Sequence, residues 1–291
     1  MPVQVPAIAT PLPPLPVPDP SKKLAVVVSS AQGAEITDTL PNFEILADSG
    51  AFNVYSVAPE RTLLPLVSQT LRPSGLDFFP HFSYAEYESQ IGRDPDLIVI
   101  PGMPGYTRER DAAMIDWIRA HAGPNTTVLG ICIGGIVLAD TGLVNGHTTT
   151  TNAGVMPILA AQHPATTWVP NVRYFDDGNM VESTTLTSGI DSTLHIVDRF
   201  AGRATTLEVA RQLGYTQTGA LDDPGFDPPT GNLRFEMGLL TGLEVRQQLG
   251  VPLYEGVSEF GLAGLLDPEV GSTSASAGIG APQCELTRST S

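Results

Sequence analysis

Basic side chains are scarce in this sequence. The 291 residues include only 15 lysines and arginines against 31 aspartates and glutamates, which gives a formal net charge of −16. Lysine occurs only at Lys22 and Lys23, and the arginines are scattered singly. Nucleic-acid binding and anchoring to an anionic membrane both need clustered cations, so the charge balance argues against both kinds of partner.

Cysteine and long apolar runs are scarce as well. Cys132 lies in an apolar segment and Cys284 in a Ser/Thr-rich one, so a disulfide framework is not expected. No stretch reaches the roughly 18 apolar residues of a membrane helix. The first residues have neither a basic n-region nor an uninterrupted apolar h-region. We therefore expect a cytoplasmic protein.

The rest of the composition is typical of a globular protein. Hydrophobic residues make up 42% of the chain and charged residues 16%, which provides enough apolar material for a full core. Eight of the first twenty residues are proline, so residues 1–23 are predicted to form an extended arm. Residues 24–215 are predicted to be the folded domain, residues 216–271 a C-terminal extension and residues 272–291 a disordered tail.

Short apolar runs alternate with amphipathic stretches through the domain. Runs rich in Val and Ile predict buried strands at Leu24–Val28, Phe52–Ala58, Leu97–Ile100 and Thr127–Ile131. Helical spacing predicts helices at Arg108–His121 and at residues 133–142, 189–201 and 204–213. Alternating strands and helices predict an α/β fold with a largely parallel sheet sandwiched by helices.

The C-terminal extension carries apolar residues that need a cover. Leu233–Leu249 is predicted to be an amphipathic helix, and a second apolar set lies between Leu253 and Leu266. In water these residues would form a larger exposed patch than a monomer normally has. We expect residues 233–266 to pack on a second subunit or across the mouth of the active site. The alternative is the flank of their own domain.

The segment 130–134, with the sequence Gly-Ile-Cys-Ile-Gly, follows a predicted strand and precedes a predicted helix. A nucleophile on a tight strand-to-helix turn needs small neighbours, and Gly130 and Gly134 flank Cys132 in this way. The helix N-terminus beside the sulfur favours the thiolate, which is the reactive form. The pattern indicates a nucleophilic cysteine, and a buried, inert cysteine is the alternative.

This elbow resembles that of the DJ-1/PfpI superfamily, which has the class I glutamine-amidotransferase-like, flavodoxin-like fold. The helix ending at residues 143–146 and the threonines at 148–151 are similar to the family pattern, as are the strand and helix in residues 181–202. The resemblance covers residues 24–215 and is nearest to isonitrile hydratases and the amidase-like domains of AraC-type regulators. It implies a homodimer and chemistry without a metal or organic cofactor.

The resemblance also implies an acidic partner for Cys132. The family places an acidic residue at the position of Asp38, hydrogen-bonded to the elbow cysteine, and isonitrile hydratases have aspartate there. A carboxyl group beside a thiolate is partly protonated because two anions in contact disfavour each other, so it can deliver a proton. In the alternatives, Asp38 caps the helix that follows and Glu35 supplies the proton.

Backbone N–H groups and two departures from the family pattern complete the predicted site. The resemblance implies that the N–H groups of Gly102 and Ile133 stabilise developing negative charge, although a simple Gly-rich turn also explains Gly102. Asn152, a candidate pocket residue, stands where the family often has histidine, so a Cys-His mechanism loses its base. Ile133 replaces the threonine common in isonitrile hydratases. The five histidines are predicted to be structural or solvated.

Two functions fit these residues, and a third is excluded. The first is an enzyme in which Cys132 attacks a small electrophile and Asp38 supplies a proton, as in isonitrile hydration, with a glyoxalase-like reaction as a lesser version. The second is a non-catalytic redox sensor or interaction protein that oxidises at Cys132. Transcriptional regulation needs a basic helix-turn-helix, but residues 216–291 hold three basic against ten acidic residues.

Overall fold

Strands and helices alternate along the chain in the computed structural model, which describes residues 15, 17–68, 73–225, 254 and 256–271. The strands are β1 (Lys23–Val28), β2 (Ala34–Glu35), β3 (Phe52–Ala58), β4 (Leu64–Val67), β5 (Pro73–Phe78), β6 (Phe82–Ser83), β7 (Leu97–Ile100), β8 (Thr127–Ile131), β9 (Thr148–Thr149), β10 (Thr167–Trp168), β11 (Tyr174–Asp176) and β12 (Met180–Ser183). The helices are α1 (Ile36–Asp48), α2 (Tyr84–Gln90), α3 (Ala112–His121), α4 (Gly134–Thr141), α5 (Met156–Gln162), α6 (Leu186–Ala201), α7 (Arg203–Gln212) and α8 (Glu259–Gly271), with a 3₁₀ helix at Thr218–Leu221.

Seven of the strands form the central sheet, in the order β11-β12-β8-β7-β1-β3-β6. Neighbouring strands run parallel except for β11 and β12. After β1 the chain builds β3 on one side, and β7 is later added on the other. The carboxyl ends of β1 and β7 therefore leave a crevice at this switch point, where open α/β sheets bind their ligands.

Both faces of the sheet are covered because the strands are apolar on both sides. In β1, Leu24, Val26 and Val28 pack into one core cluster with α3 and α4, whereas Ala25 and Val27 pack into the other with α1 and α6. Full burial of a Val or Leu side chain stabilises a fold by about 1.5–3 kcal/mol, so such strands hold the centre of the molecule together. This α/β architecture confirms the predicted fold class.

The predicted strands and helices match the observed ones closely. Three of the four predicted strands have the same bounds in the structure. The exception is the strand predicted at Leu24–Val28, which begins one residue earlier, at Lys23. The predicted helix at Arg108–His121 is shorter because Asp111 ends the preceding loop: its carboxylate accepts the Thr107 N–H at 2.9 Å. The other predicted helices differ from the observed ones by up to three residues at their ends.

The described part of the C-terminal extension packs on its own domain. Helix α8 lies on α1, and its residues Leu262, Ala263 and Leu266 join the α1–α6 core cluster. The buried carboxylate of Glu44 in α1 accepts the Phe260 N–H at 2.5 Å, which holds the start of α8. This part of the extension therefore takes the alternative position, on the flank of its own domain, because α1 offers an apolar face within the same chain. Packing of the extension on a second subunit stays a prediction.

Several predicted segments lie outside the described residues. These are the predicted helix at Leu233–Leu249, the tail at 272–291 and nearly all of the proline-rich arm. The described end of the arm is fixed to β3, since the Asp19 N–H donates to Asn53 Oδ1 at 2.9 Å. Within the described ranges, none of the helices combines the length and apolar character needed to cross a membrane.

Candidate active site

Cys132 lies on the turn between β8 and α4, at the carboxyl edge of the sheet. Its φ of +55° is in the left-handed region, which costs a residue with a side chain about 1–2 kcal/mol. Neighbouring segments hold the turn in this conformation: the Cys132 N–H donates to Ser183 O at 3.1 Å, and Cys132 O accepts from Thr151 Oγ1 at 3.2 Å. Cys132 thus has a backbone conformation that is unfavourable for a residue with a side chain, on the turn between β8 and α4.

Glycines surround the elbow because there is no room for a Cβ atom. A Cβ on Gly134 would lie 2.2 Å from the carbonyl oxygen of Ile100, and one on Gly130 would lie 2.9 Å from Glu182 Cγ. The sequence analysis did not single out Gly135, where a Cβ would lie 2.2 Å from Thr151 Oγ1. All three glycines therefore allow β7, β12 and the segment that follows β9 to approach the turn of Cys132 closely.

Asp38 and Ile133, the residue after Cys132, both lie against Gly102, in the turn after β7. The Gly102 N–H donates to Asp38 Oδ2 at 2.9 Å, and a Cβ on Gly102 would lie 2.5 Å from this oxygen and 3.0 Å from Ile133 Cγ1. Asp38 itself is fully buried, in the first turn of α1. The carboxylate, the glycine and the residue after Cys132 thus form one contiguous group, as the switch point of the sheet predicts.

Glu35, rather than Asp38, caps helix α1. The Glu35 side chain accepts the Asp38 N–H at 2.6 Å, so the alternative role of Asp38 as the helix cap is wrong. The cap fixes the first turn, and Asn42 Nδ2 donates to Asp38 O at 2.7 Å from the next turn. With its backbone held from both ends, Asp38 presents its carboxylate in one direction, towards Gly102.

The two predicted backbone donors are already engaged in this structure. The Gly102 N–H is donated to Asp38, and the Ile133 N–H is hydrogen-bonded to the side chain of Cys132. We therefore revise the role of the Gly102 N–H, which orients the Asp38 carboxylate. The Ile133 N–H remains a candidate donor to negative charge at the sulfur and at an atom bound to it.

Asn152 faces the sulfur atom. Its Nδ2 donates to Cys132 Sγ at 3.4 Å, while its Oδ1 accepts the Gly154 N–H at 2.9 Å. The second hydrogen bond fixes the orientation of the amide, so that the NH₂ group points at Cys132. The structure thus brings this predicted pocket residue to the nucleophile, where an amide donates but does not act as a base.

The sulfur is more shielded than a reactive thiolate would be. Burial raises the pKa of the Cys132 thiol, and the negative charge of Asp38 raises it further. The hydrogen bonds from Asn152 and from the Ile133 N–H lower the pKa, and the charge of Glu35 raises it again. Burial and the nearby carboxylates thus act on the pKa of Cys132 in the direction opposite to the helix N-terminus and the two donors, and the preference for the thiolate stays a prediction.

Four of the five histidines are paired away from Cys132. Their hydrogen-bond partners are Ser56 for His81, Glu88 and Asp94 for His121, Asp177 for His147, and Asp176 for His195. These pairings agree with the structural role predicted from the sequence. The nucleophile therefore has Asp38 and Asn152 beside it, where a Cys-His enzyme would have an imidazole.

Glu182 is the acidic residue near the elbow that the sequence analysis missed. Its side chain is fully buried on β12, where Thr149 Oγ1 donates to Oε2 at 2.7 Å. Burial raises the pKa of this carboxyl group to about 8, although the Thr149 hydrogen bond lowers it. The available signal was a single acidic residue inside an otherwise apolar strand.

The comparisons with known proteins agree with this fold. The model of the DJ-1/PfpI family matches residues 23–199. The chain is 27% identical over 191 residues to the isonitrile hydratase of Pseudomonas putida, an alignment that covers 62% of this chain and 78% of that protein. This protein belongs to the DJ-1/PfpI family.

Two solved structures show the same fold. Drosophila melanogaster DJ-1beta superposes with a TM-score of 0.56 at 21% identity, covering 67% of this chain and 99% of that one. A ThiJ/PfpI family protein from Pseudomonas syringae superposes with a TM-score of 0.59 at 17% identity, covering 90% and 98%. At these identities the likeness concerns the fold alone.

Proposed function

We propose that this protein is a cysteine-dependent hydratase of small electrophiles, with isonitriles as its substrate class. The observation that carries the proposal is the placement of Cys132 on a strained elbow, beside a buried aspartate that is held by Gly102. The similarity to an isonitrile hydratase supports the choice of substrate. An aspartate at position 38 also agrees with this branch of the family.

The first step joins the sulfur to the substrate. In the resting pair the proton is on sulfur and the negative charge is on Asp38, which agrees with the raised pKa of Cys132. Asp38 accepts the thiol proton as Sγ attacks the terminal carbon of R–N≡C, and returns it to that carbon. The product is a thioimidate, in which Cys132 Sγ is bonded to the CH of CH=N–R.

The second step hydrolyses this intermediate. Water adds to the carbon, the C–S bond breaks, and one proton of the water returns to sulfur while the other stays on nitrogen. The formamide R–NH–CHO leaves, so the net reaction is the addition of one water molecule. The thiol, the carboxyl group and the water account for every atom and proton of the cycle.

The site favours this chemistry over the alternatives from the sequence. A glyoxalase-like reaction of 2-oxoaldehydes remains a lesser candidate because Asn152 cannot act as a base. Redox sensing calls for an accessible thiolate, whereas Cys132 is 7% exposed and burial raises its pKa. Stoichiometric oxidation of Cys132 by mild peroxide, without turnover of any electrophile, would favour the sensor.

The decisive experiment is a substrate screen with matched cysteine variants. Wild-type protein, Cys132→Ala and Cys284→Ser are incubated with isonitriles, methylglyoxal and activated amides, and products are measured by mass spectrometry. We expect formamide from isonitriles with wild type and Cys284→Ser, and none with Cys132→Ala. Formamide production by Cys132→Ala at the wild-type rate would refute the proposal, and so would the absence of formamide with wild-type protein.

A further inference from the structure

The carboxyl group of Glu182 lies directly behind the nucleophile elbow. In the sheet, Glu182 of β12 is in register with Gly130 of β8, two residues before Cys132. One oxygen, Oε2, accepts the hydrogen bond from Thr149. The other, Oε1, is buried and has no hydrogen-bond partner among the described residues. A buried polar atom without a partner costs free energy, which indicates a specific use.

Glu182 supports the turn through small contacts. A Cβ on Gly130 would lie 2.9 Å from Glu182 Cγ, and a Cβ on Gly135 would lie 2.5 Å from Glu182 Oε1. The same point on Gly135 is 2.2 Å from Thr151 Oγ1, which donates to the carbonyl oxygen of Cys132. The side chains of Glu182 and Thr151 therefore both lie against Gly135, and Thr151 also holds the backbone of Cys132 through its hydrogen bond.

No cation neutralises Glu182 within the part of the chain that the structure describes. The titratable groups on the elements of this side are Cys132 after β8, Asp140 on α4 and His147 before β9. Asp140 is bound by Tyr106 and Arg108, and His147 is paired with Asp177.

On the opposite side of β12, the charged groups of α6 also have partners. They are Asp191 with Arg173, His195 and Arg199 with Asp176, and Asp198 with Arg203. Among the described residues, each of these charged groups is therefore paired elsewhere and does not compensate a negative charge on Glu182.

We propose that Glu182 is a positioning residue for the elbow, which supports Gly130 and Gly135 while it is uncharged and opposes the Cys132 thiolate once it is charged. This inference rests on the proposed role of Cys132 as the nucleophile. Burial raises the pKa of Glu182 to about 8, so Glu182 becomes negatively charged just above neutral pH. Above this pH, the negative charge of Glu182 adds to those of Asp38 and Glu35, which already oppose the thiolate.

The test is the pH profile of Cys132 alkylation, which needs no turnover. Wild type, Glu182→Gln and Thr149→Val react with iodoacetamide from pH 6 to pH 10, and the peptide containing Cys132 is quantified by mass spectrometry. We expect equal rates for wild type and Glu182→Gln near pH 6 and about tenfold faster alkylation of Glu182→Gln at pH 9.5, since an unscreened buried charge shifts a neighbouring pKa by about one unit. In wild type, the rise of the rate with pH flattens above pH 8.

The Thr149→Val variant should shift the pH at which the alkylation rate flattens, without abolishing the flattening. The Thr149 hydrogen bond lowers the pKa of Glu182, so its loss shifts the flattening to higher pH. Ser183→Ala is the matched control, because Ser183 is the next buried residue of β12 and its Oγ has no partner among the described residues. It should leave the profile unchanged. Melting curves of each variant establish that it is folded before alkylation.

Two results would overturn the proposal. One is a Glu182→Gln profile that runs parallel to that of wild type at every pH, which is the result expected for a merely structural residue. The other is an unchanged flattening in the folded Glu182→Gln variant. Neither result depends on isonitrile turnover, so a failure of the proposed enzymatic function remains distinguishable from a failure of this inference.

Discussion

The amide of Asn152 donates a hydrogen bond to the sulfur of Cys132 at 3.4 Å, from the position where the family often has a histidine. The amide cannot remove a proton from the thiol, but it lowers the pKa of Cys132 by stabilising negative charge on sulfur. Asn152 thus partly offsets the effect of burial. In the proposed mechanism, one side chain, Asn152, stabilises the thiolate, and another, Asp38, transfers the proton.

Replacement of Asn152 tests the first of these roles. Asn152→Ala removes the donor, so the pKa of Cys132 rises, and alkylation of Cys132 at pH 9 should slow by about three- to tenfold, as for the loss of an ordinary hydrogen bond worth about 0.5–1.5 kcal/mol. Asn145→Ala, in the exposed turn after α4, is the matched control and should react like wild type. An unchanged alkylation rate in Asn152→Ala would show that the 3.4 Å contact has no energetic role.

Replacement of Asp38 tests the second role, and its two effects have opposite signs. Asp38→Asn removes the charge that raises the pKa of Cys132, so alkylation at pH 8 should accelerate. Isonitrile turnover should fall at least a hundredfold because the proton carrier is lost. Asp38→Glu should retain part of the turnover if the buried site accommodates one more methylene group. Equal turnover in wild type and Asp38→Asn would transfer the role to Glu35 or to water.

The strained backbone of Cys132 predicts a difference between two inactive variants. Glycine adopts a φ of +55° without an energetic penalty, whereas alanine pays the same penalty as cysteine. Cys132→Gly should therefore be about 1 kcal/mol more stable than Cys132→Ala. Urea unfolding of both variants measures the difference directly. As a control, Cys284→Gly and Cys284→Ala should have the same stability. A Cys132→Gly variant less stable than Cys132→Ala would mean that the elbow is not strained.

Glu182 makes the stability of the protein depend on pH. The pKa of Glu182 is about 8 in the folded protein, against an ordinary value of 4.5. Between these values the folded state holds a proton that the unfolded state has lost, so the free energy of unfolding falls as the pH rises, by up to about 1.4 kcal/mol per pH unit. Above pH 8 this contribution is constant.

The Glu182→Gln variant isolates this contribution. Its stability relative to wild type should increase from pH 5 to pH 8 and then level off, as measured by urea unfolding at intervals of one pH unit. Ser183→Ala, on the same strand, should differ from wild type by the same amount at each pH. A pH-independent difference between Glu182→Gln and wild type would mean that Glu182 titrates normally in the folded protein.

The sequence predicts the parts of the site that follow single strands. Asp38, Gly102 and Cys132 each come after a strand that hydrophobic runs identify, and parallel strands bring their carboxyl ends to one edge. Contacts from other segments are not predictable in this way. Thr151 and Glu182 reach the elbow through the pairing of β9 and β12 with their neighbours, and a change of register by one residue would turn Glu182 to the other face.

The protonation state of Cys132 was also beyond the sequence. A helix N-terminus favours the thiolate, and this local rule is all that the Gly-Ile-Cys-Ile-Gly segment contains. In the folded protein the thiol is buried beside Asp38, which raises its pKa. Depth of burial and distance to a charge from a remote segment are tertiary properties, so the local rule does not include them.

The seating of α8 on α1 has a consequence for any shortened form of this protein. Glu44 is 1% exposed and accepts hydrogen bonds from the Ser258 hydroxyl and the Phe260 N–H, so removing the extension exposes apolar surface on α1 and breaks two hydrogen bonds to a buried carboxylate. A form ending at Tyr215 would therefore expose an apolar surface on α1, the helix that carries Asp38, and should be prone to aggregation. In the intact chain, this surface of α1 is covered by the chain's own C-terminal helix.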